Sequence, residues 1–184
     1  MSIPDLVQLL ASRSAKRGEF TLASGRPSTL YIDARLTTMS PEGLTIIGSE
    51  GLRAIQNANW SVESVGGLTL GADPVAYAIA YASATTLTPI RAFTVRKETK
   101  AHGMGRLIEG PFRRGDRVAV IEDVITTGSS AMKAAKAIQD AGGQITGVLA
   151  LVDREEGGRE ALEKEGFAVI ALTRASDIIA HMKE

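Results

Sequence analysis

The sequence predicts an α/β domain built on a largely parallel, twisted sheet flanked by helices. Three observations carry this. Val118 to Ile121 are four consecutive apolar residues, three of them β-branched, as expected of a strand buried on both faces. A hydroxyl- and glycine-rich turn, Thr126 to Ser130, then runs straight into an alanine-rich helical pattern. From Val62 onward, short apolar runs alternate with amphipathic stretches, the pattern of β-α units whose ligands sit beyond the carboxyl ends of the strands. The 184 residues fit one domain, 1–184, with about 1–38 as a small appended helix and hairpin and about 60–175 as the core sheet.

The elements follow in order. Pro4 to Arg17 spaces Leu6, Leu9, Leu10 and Ala15 along one helical face, with proline at its start. Phe20 and Leu22, then Leu30, Ile32 and Ala34, alternate around Ser24-Gly25-Arg26-Pro27 as a hairpin or a pair of short strands. Tyr31, Asp33 and Arg35 fall on its opposite face, which by spacing alone is a solvated outer face. Ser40 as N-cap and Pro41 at the first helical position open a helix to about Asn57. Trp60 suits a packing position. Val62 to Leu70 forms a strand leading through Gly66-Gly67 to Gly71, where Asp73-Pro74 repeats the cap-plus-proline pattern before another helix. The Gly66 to Gly71 stretch is either a plain β-to-α turn, the simpler reading from spacing, or a second phosphate cradle. A strand from about Pro89 to Arg96 precedes an irregular segment to Gly115. The helix from Ser129 to Ala141 stops at Gly142-Gly143. Strand Ile145 to Val152, a short helix to Lys164, strand Phe167 to Leu172 and helix Ser176 to Met182 complete the order.

The stretch from Val118 to Ser130 carries the chemistry. Thr126, Thr127, Gly128, Ser129 and Ser130 put backbone N–H groups and hydroxyls at the positive end of a helix, which suits a phosphate dianion. Neighbouring strand side chains point to opposite faces, so Glu122 and Asp123 serve one ligand only if the strand stops there and the chain curls. A ribose fits: the acids accept from its adjacent hydroxyls, or hold a metal bridging them, while the loop holds the sugar's phosphate. By itself an Asp-x-x-Thr-x-Gly also suits a solvated, capped junction. A P-loop is excluded for want of Gly-Lys-Ser/Thr, and the only Gly-x-Gly, Gly103 to Gly105, lacks the third glycine of a dinucleotide fingerprint.

Arg91 to Arg114 holds seven Lys or Arg against two Glu in a chain of zero formal net charge. Its centre is Arg96-Lys97-Glu98-Thr99-Lys100-Ala101-His102-Gly103, either a solvated charged loop or a lid for a polyanion. Zero net charge gives no global field toward nucleic acid or membrane. Absence of cysteine excludes disulfides, thiolate catalysis and zinc–cysteine sites. With no signal-peptide pattern at the start and no apolar run near ~18 residues, a cytoplasmic protein is expected.

The thirteen residues from Val118 to Ser130 resemble the phosphoribosyl pyrophosphate (PRPP) motif of the type I phosphoribosyltransferases. A closer resemblance, to the orotate phosphoribosyltransferase family, rests on Glu19 to Gly25 with Ser28, Tyr31 and Asp33, on Arg96-Lys97-Glu98 with Lys100, His102 and Gly103, and on Leu151-Val152-Asp153-Arg154. It covers nearly the whole chain. It implies the type I phosphoribosyltransferase fold with a small N-terminal hood. It further implies transfer of the phosphoribosyl group of PRPP to orotate, giving orotidine 5′-monophosphate and pyrophosphate in pyrimidine biosynthesis. Glu122, Asp123, Val124, Ile125, Thr126, Thr127, Gly128, Ser129 and Ser130 would bind the ribose and 5′-phosphate, with Mg²⁺ on pyrophosphate and ribose rather than on a side chain. Arg96, Lys97, Lys100 and His102 would contact pyrophosphate, partly across a homodimer. Lys100, His102 and Asp123 would be catalytic, and Thr126 and Arg154 would bind orotate. A guanidinium at a strand end suits a planar carboxylate independently, against pairing with Glu155 or Glu156 at the surface. Gly66 to Gly71 matches the family's pyrophosphate loop. Ala23 departs from the lysine common in the family, so that side-chain contact is lost, with Arg26 or backbone as substitutes. The residues leave open two alternatives: a purine or other pyrimidine phosphoribosyltransferase, and a regulator that binds PRPP without turnover.

Overall fold

Alternation along the central strands decides the architecture. Val118 and Val120 enter one apolar cluster while Ala119 and Ile121 enter another, as a period of two requires when both sheet faces are covered. The computed structural model describes residues 2–21, 27–98 and 107–182. Its elements are α1 (Ile3–Arg13), β1 (Ala15–Thr21), β2 (Pro27–Ile32), α2 (Arg35–Thr38), α3 (Pro41–Asn57), β3 (Ser64–Leu68), α4 (Ala72–Ser83), β4 (Arg91–Val95), β5 (Ile108–Glu109), β6 (Arg117–Ile125), α5 (Ser129–Asp140), β7 (Gln144–Asp153), α6 (Gly158–Lys164), β8 (Val169–Arg174) and α7 (Ala175–His181).

Six strands form the main sheet in the order β5-β4-β3-β6-β7-β8; all neighbours are parallel except β5, which runs against β4. One face packs on α1, α3, α4 and α7 through Leu6, Leu10, Ile47, Ile79, Ile121, Leu149 and Ile178. The other packs on α5 and α6 through Ala134, Ile138, Leu162, Val118, Val120 and Val148. The hairpin β1-β2 is a separate antiparallel pair, but Leu30 and Ile32 join the first core.

The expected helix start at Ser40 stands: its hydroxyl accepts from the Gly43 amide at 3.1 Å, with Pro41 at the first position. Several expected boundaries move. The first helix ends at Arg13, and Ala15 to Arg17 pair with Ile32, Tyr31 and Leu30, so strand pairing overrides the weak helical spacing. Ala34 leaves the hairpin because the Asp33 carboxylate accepts from the Arg35 amide at 3.2 Å, turning the chain into α2. Gly66 and Gly67 lie inside β3, not in a loop, and only 69–71 connect β3 to α4. Asp73 sits within the first turn of α4, after Gly71 as cap, so it is not the N-cap. The segment before Gly115 contains β5, too short to show a period. The last strand and helix run from Val169 and Ala175.

The expectation that the strand stops at Glu122 is overturned. β6 continues to Ile125 and pairs with β7 at Glu122–Ala150 and Val124–Val152. Its pairing with β3, however, ends at Gly66–Val120. By that register the end of β3, Leu68, lies level with Glu122, so β6 overhangs its shorter neighbour from Asp123 to Ile125, at the crevice by the carboxyl ends of the strands.

Candidate active site

A cleft of about 370 Å³ lies over this overhang, within the size range of small-molecule sites. Glu122, Asp123, Val124, Thr126 and Ser130 form its floor and one end, Lys97 and Arg154 stand at its sides, and 68–71 and 31–35 wall it. Residues from β2, β4, β6 and β7 and the turns that follow them thus meet at one crevice, the expected position for a ligand on an α/β sheet.

Glu122 is buried, and its Oε2 finds no hydrogen-bond partner among the described residues. Burial, then the charge of Asp123 and a hydrogen bond to that carboxyl, push Glu122 well above the usual carboxylate range. Burial also raises Asp123, although the amides of Val124 and Asp123 and the hydrogen bond with Glu122 pull it back. The two acids lie side by side although they are consecutive on β6, because the alternation reverses here: Val124 packs with the core that holds Ala119 and Ile121, and Ile125 with the one that holds Val118 and Val120. Gly71 packs so closely on the Asp123 carboxylate that a Cβ there would collide with it. Loop 69–71 is therefore pressed against the acid pair.

Gly128 takes the left-handed conformation, φ 76°, and caps α5. The Thr127 hydroxyl donates to the Ser129 hydroxyl at 3.1 Å, so this turn is organised by its own side chains. Thr127 and Ser129 are exposed and Thr126 and Ser130 half-buried beside the first-turn amides of α5. The Ile125 side chain is buried in the core below the cleft; its carbonyl accepts from the Arg154 amide at 3.0 Å.

Arg154 is buried, not on the surface, yet it does pair with Glu156, at 2.7 Å. Its Nη2 also donates to the Leu30 carbonyl at 3.2 Å and the Ser28 hydroxyl at 3.3 Å, tying it to the hairpin. Its buried Nε finds no partner among the described residues, leaving one donor on a side chain that lines the cleft. Of the two sequence-based readings, the pairing with Glu156 is present, on a buried rather than a surface arginine. Arg96 does not line this cleft. Its Nε donates to the Glu98 carbonyl at 3.2 Å and it faces an adjoining cleft that Lys97 shares. Lys100 and His102, and the Ala23 and Arg26 positions, lie outside the described residues.

Tyr31, Asp33 and Arg35, which spacing alone left as a solvated face, form a wall of the cleft. Arg35 clamps Asp33 with Nε at 2.8 Å and Nη2 at 3.0 Å, and that hydrogen-bonded guanidinium holds Asp33 below its usual range despite some burial. Their alternation against Leu30 and Ile32 marked the face but not what it faced. Among the described residues no three His, Asp or Glu gather as a metal cage.

No family model matches the chain. The orotate phosphoribosyltransferase of Aquifex aeolicus is 49% identical over 177 residues, covering 95% of this chain and 96% of its own length. That of Synechocystis is 45% identical over 94% of this chain and 86% of its length. The crystal structure of Mycobacterium tuberculosis orotate phosphoribosyltransferase in complex with 5-phospho-α-D-ribosyl 1-diphosphate (PRPP) superposes with a TM-score of 0.81 at 41% identity, covering 96% of this chain and 98% of that one. Identity at this level, over nearly all of each chain and in the same fold, means that the chain belongs to the orotate phosphoribosyltransferase family of pentosyltransferases.

Proposed function

We propose that the cleft over β6 transfers the phosphoribosyl group of PRPP to orotate. The observation that carries this reading is the meeting, in one crevice, of a buried acid pair, an amide- and hydroxyl-rich helix start and a buried arginine with an unused donor. The turn Thr126 to Ser130 holds the 5′-phosphate at the start of α5. Glu122 and Asp123 accept from the ribose hydroxyls, donors that would offset the cost of ionising a pair whose pKa values burial raises. Loop 69–71 and Lys97 hold the diphosphate, and Arg154 grips the orotate carboxylate beside Thr126.

Orotate nitrogen attacks C1 of the ribose as the bond to diphosphate lengthens, so positive charge grows on the sugar directly above Asp123. Catalysis is then positioning plus neutralisation of the leaving group, with Arg96, Lys97, Lys100 and His102 supplying the cations and Lys100 or His102 the proton. No covalent nucleophile is required. A Mg²⁺ would enter with its substrate, since magnesium commonly binds through substrate phosphates and retained waters, and Asp33, Glu122 and Asp123 are the carboxylates that line the cleft. When bound, it would offset charge on the departing diphosphate.

The basic segment is read as reaching a neighbouring subunit, hence a homodimer. Exposed Tyr77 and Tyr81 of α4, with Leu70 and Leu87, offer an apolar flank that supports such pairing. Zero net charge and the lack of cysteine support a cytoplasmic enzyme with small-molecule substrates and neither nucleic acid nor membrane partners. Among the described residues no helix is long and apolar enough to cross a membrane. The test is the fall of orotate absorbance with PRPP and Mg²⁺, run against uracil and hypoxanthine. Turnover of either control in preference to orotate, or PRPP binding without pyrophosphate release, refutes the assignment.

A further inference from the structure

One buried carboxylate stands behind the cleft without lining it. Asp73 accepts a hydrogen bond on each oxygen, from the Thr69 hydroxyl at 2.6 Å and the Thr94 hydroxyl at 2.9 Å. The Thr94 hydroxyl also lies 2.7 Å from the Tyr77 hydroxyl. Its own proton goes to Asp73, so Tyr77 is the donor. The chain of bonds runs from half-exposed Tyr77 through Thr94 and Asp73 to Thr69 in the cleft wall.

Thr69 is anchored twice to the same strand. Its amide donates to the Val95 carbonyl at 2.8 Å, and its hydroxyl reaches Thr94 through Asp73. Thr94 and Val95 end β4 immediately before Arg96 and Lys97. An acid in the first turn of a helix gains from the helix dipole wherever its side chain points, without being buried. Burying it costs solvation unless its lone pairs are met, and here two hydroxyls on separate segments meet them. That arrangement has a purpose beyond capping.

We propose that Asp73 is a positioning residue for the diphosphate: by holding Thr69 against Thr94, it fixes loop 69–71 at a set distance from the root of the basic segment. This rests on the reading that loop 69–71 binds diphosphate. Neither Asp73 nor Thr94 touches the substrate in this scheme. Their loss weakens the diphosphate arm of recognition and leaves the orotate arm alone.

The experiment uses the full chain with Mg²⁺ and two readouts: calorimetric titration with inorganic pyrophosphate, and KM for PRPP and for orotate. Thr94→Val removes the hydroxyl at equal volume and suits a strand, so folding is preserved. It is expected to weaken pyrophosphate binding and raise KM for PRPP by about tenfold, the scale of one hydrogen bond to a charged group. KM for orotate stays within about twofold, and Thr94→Ser restores PRPP binding. Asp73→Asn, which keeps shape but needs one hydroxyl to reverse its bond, gives the same pattern more weakly. Unchanged KM for PRPP, or equal changes for both substrates, overturns the proposal. Gly71→Ala separates the two ideas, because its methyl pushes the loop off Asp123. If Gly71→Ala abolishes pyrophosphate binding while Thr94→Val and Asp73→Asn leave it unchanged, only the role of Asp73 falls. If Gly71→Ala binds pyrophosphate normally, the diphosphate assignment of the loop falls and takes the role of Asp73 with it.

Discussion

Glu122→Gln should make the ligand-free protein more heat-stable at about pH 8 and should leave it little changed at about pH 4. Glu122 is buried, one of its oxygens has no partner among the described residues, and burial followed by the Asp123 charge raises its pKa well above 4.5. A carboxyl raised in the folded state binds a proton that the unfolded chain releases. Its contribution is therefore complete below the ordinary value of 4.5 and is lost as pH rises through the folded-state value. Glutamine cannot ionise, and its amide donates to Asp123 as the protonated acid does. The relief is that of one buried unsatisfied group, roughly 1–3 kcal/mol. For a chain of this size, where each kcal/mol moves Tm by about 2–4 °C, the gain is on the order of 5 °C. Circular dichroism melts of both proteins across the pH range read it directly. A gain that is the same at both ends of the range, or a variant less stable at about pH 8, refutes the account of the acid pair. Saturating PRPP supplies a further check: it should stabilise the wild type more than the variant, because ribose hydroxyls satisfy the group that glutamine has already neutralised.

Arg154→Lys keeps a charge but loses the planar fork, so KM for orotate should rise by about tenfold or more while KM for PRPP holds, as steady-state kinetics would report. Asp116 joins Ser64, Arg91 and the Arg113 amide at the opposite end of the sheet; burial raises its pKa, but these partners together bring it below 3.8. Its contribution is present above that value and lost as pH falls through the folded-state value, so Asp116→Asn should cost about 2 kcal/mol in neutral urea melts and progressively less in acid. Lys100→Ala should lower kcat by on the order of 10²-fold with orotate affinity little changed, the scale of one charge-stabilising or acid–base group. Mixing it with Asp123→Asn should recover activity through hybrid dimers, and no recovery would count against a shared loop.

The parallel sheet and the turn after β6 were legible because their signals are local: a β-branched run, a hydroxyl- and glycine-rich turn and the start of an alanine-rich helix within one short stretch. The order of strands was not, since β3 reaches β6 across an intervening helix and two strands. The path of β6 was misjudged at Glu122, where polarity resembles a strand end but β7 continues to pair. What brings both acids to one cleft is a reversal of side-chain alternation between Ile121 and Val124, which no local pattern announces. Tyr31, Asp33 and Arg35 were visible as a polar face, but their role depends on the hairpin leaning over the sheet through Leu30 and Ile32. Asp73 matched a capping pattern, and its partners Thr69 and Thr94 come from two other segments that only the tertiary structure brings together.

The reversal along β6 also has a mechanical consequence. Up to Ile121 the rows alternate, Val118 and Val120 on the α5 side and Ala119 and Ile121 on the α4 side, but past the acids Val124 packs with the α4-side core and Ile125 with the α5-side core, so the alternation reverses across Glu122 and Asp123. The two acids therefore sit where the strand changes phase, and both line the one cleft. Slipping β6 by one residue would exchange its buried rows and carry the acids out of their place in the cleft. The register of this strand is therefore as much a requirement of the cleft as of the core.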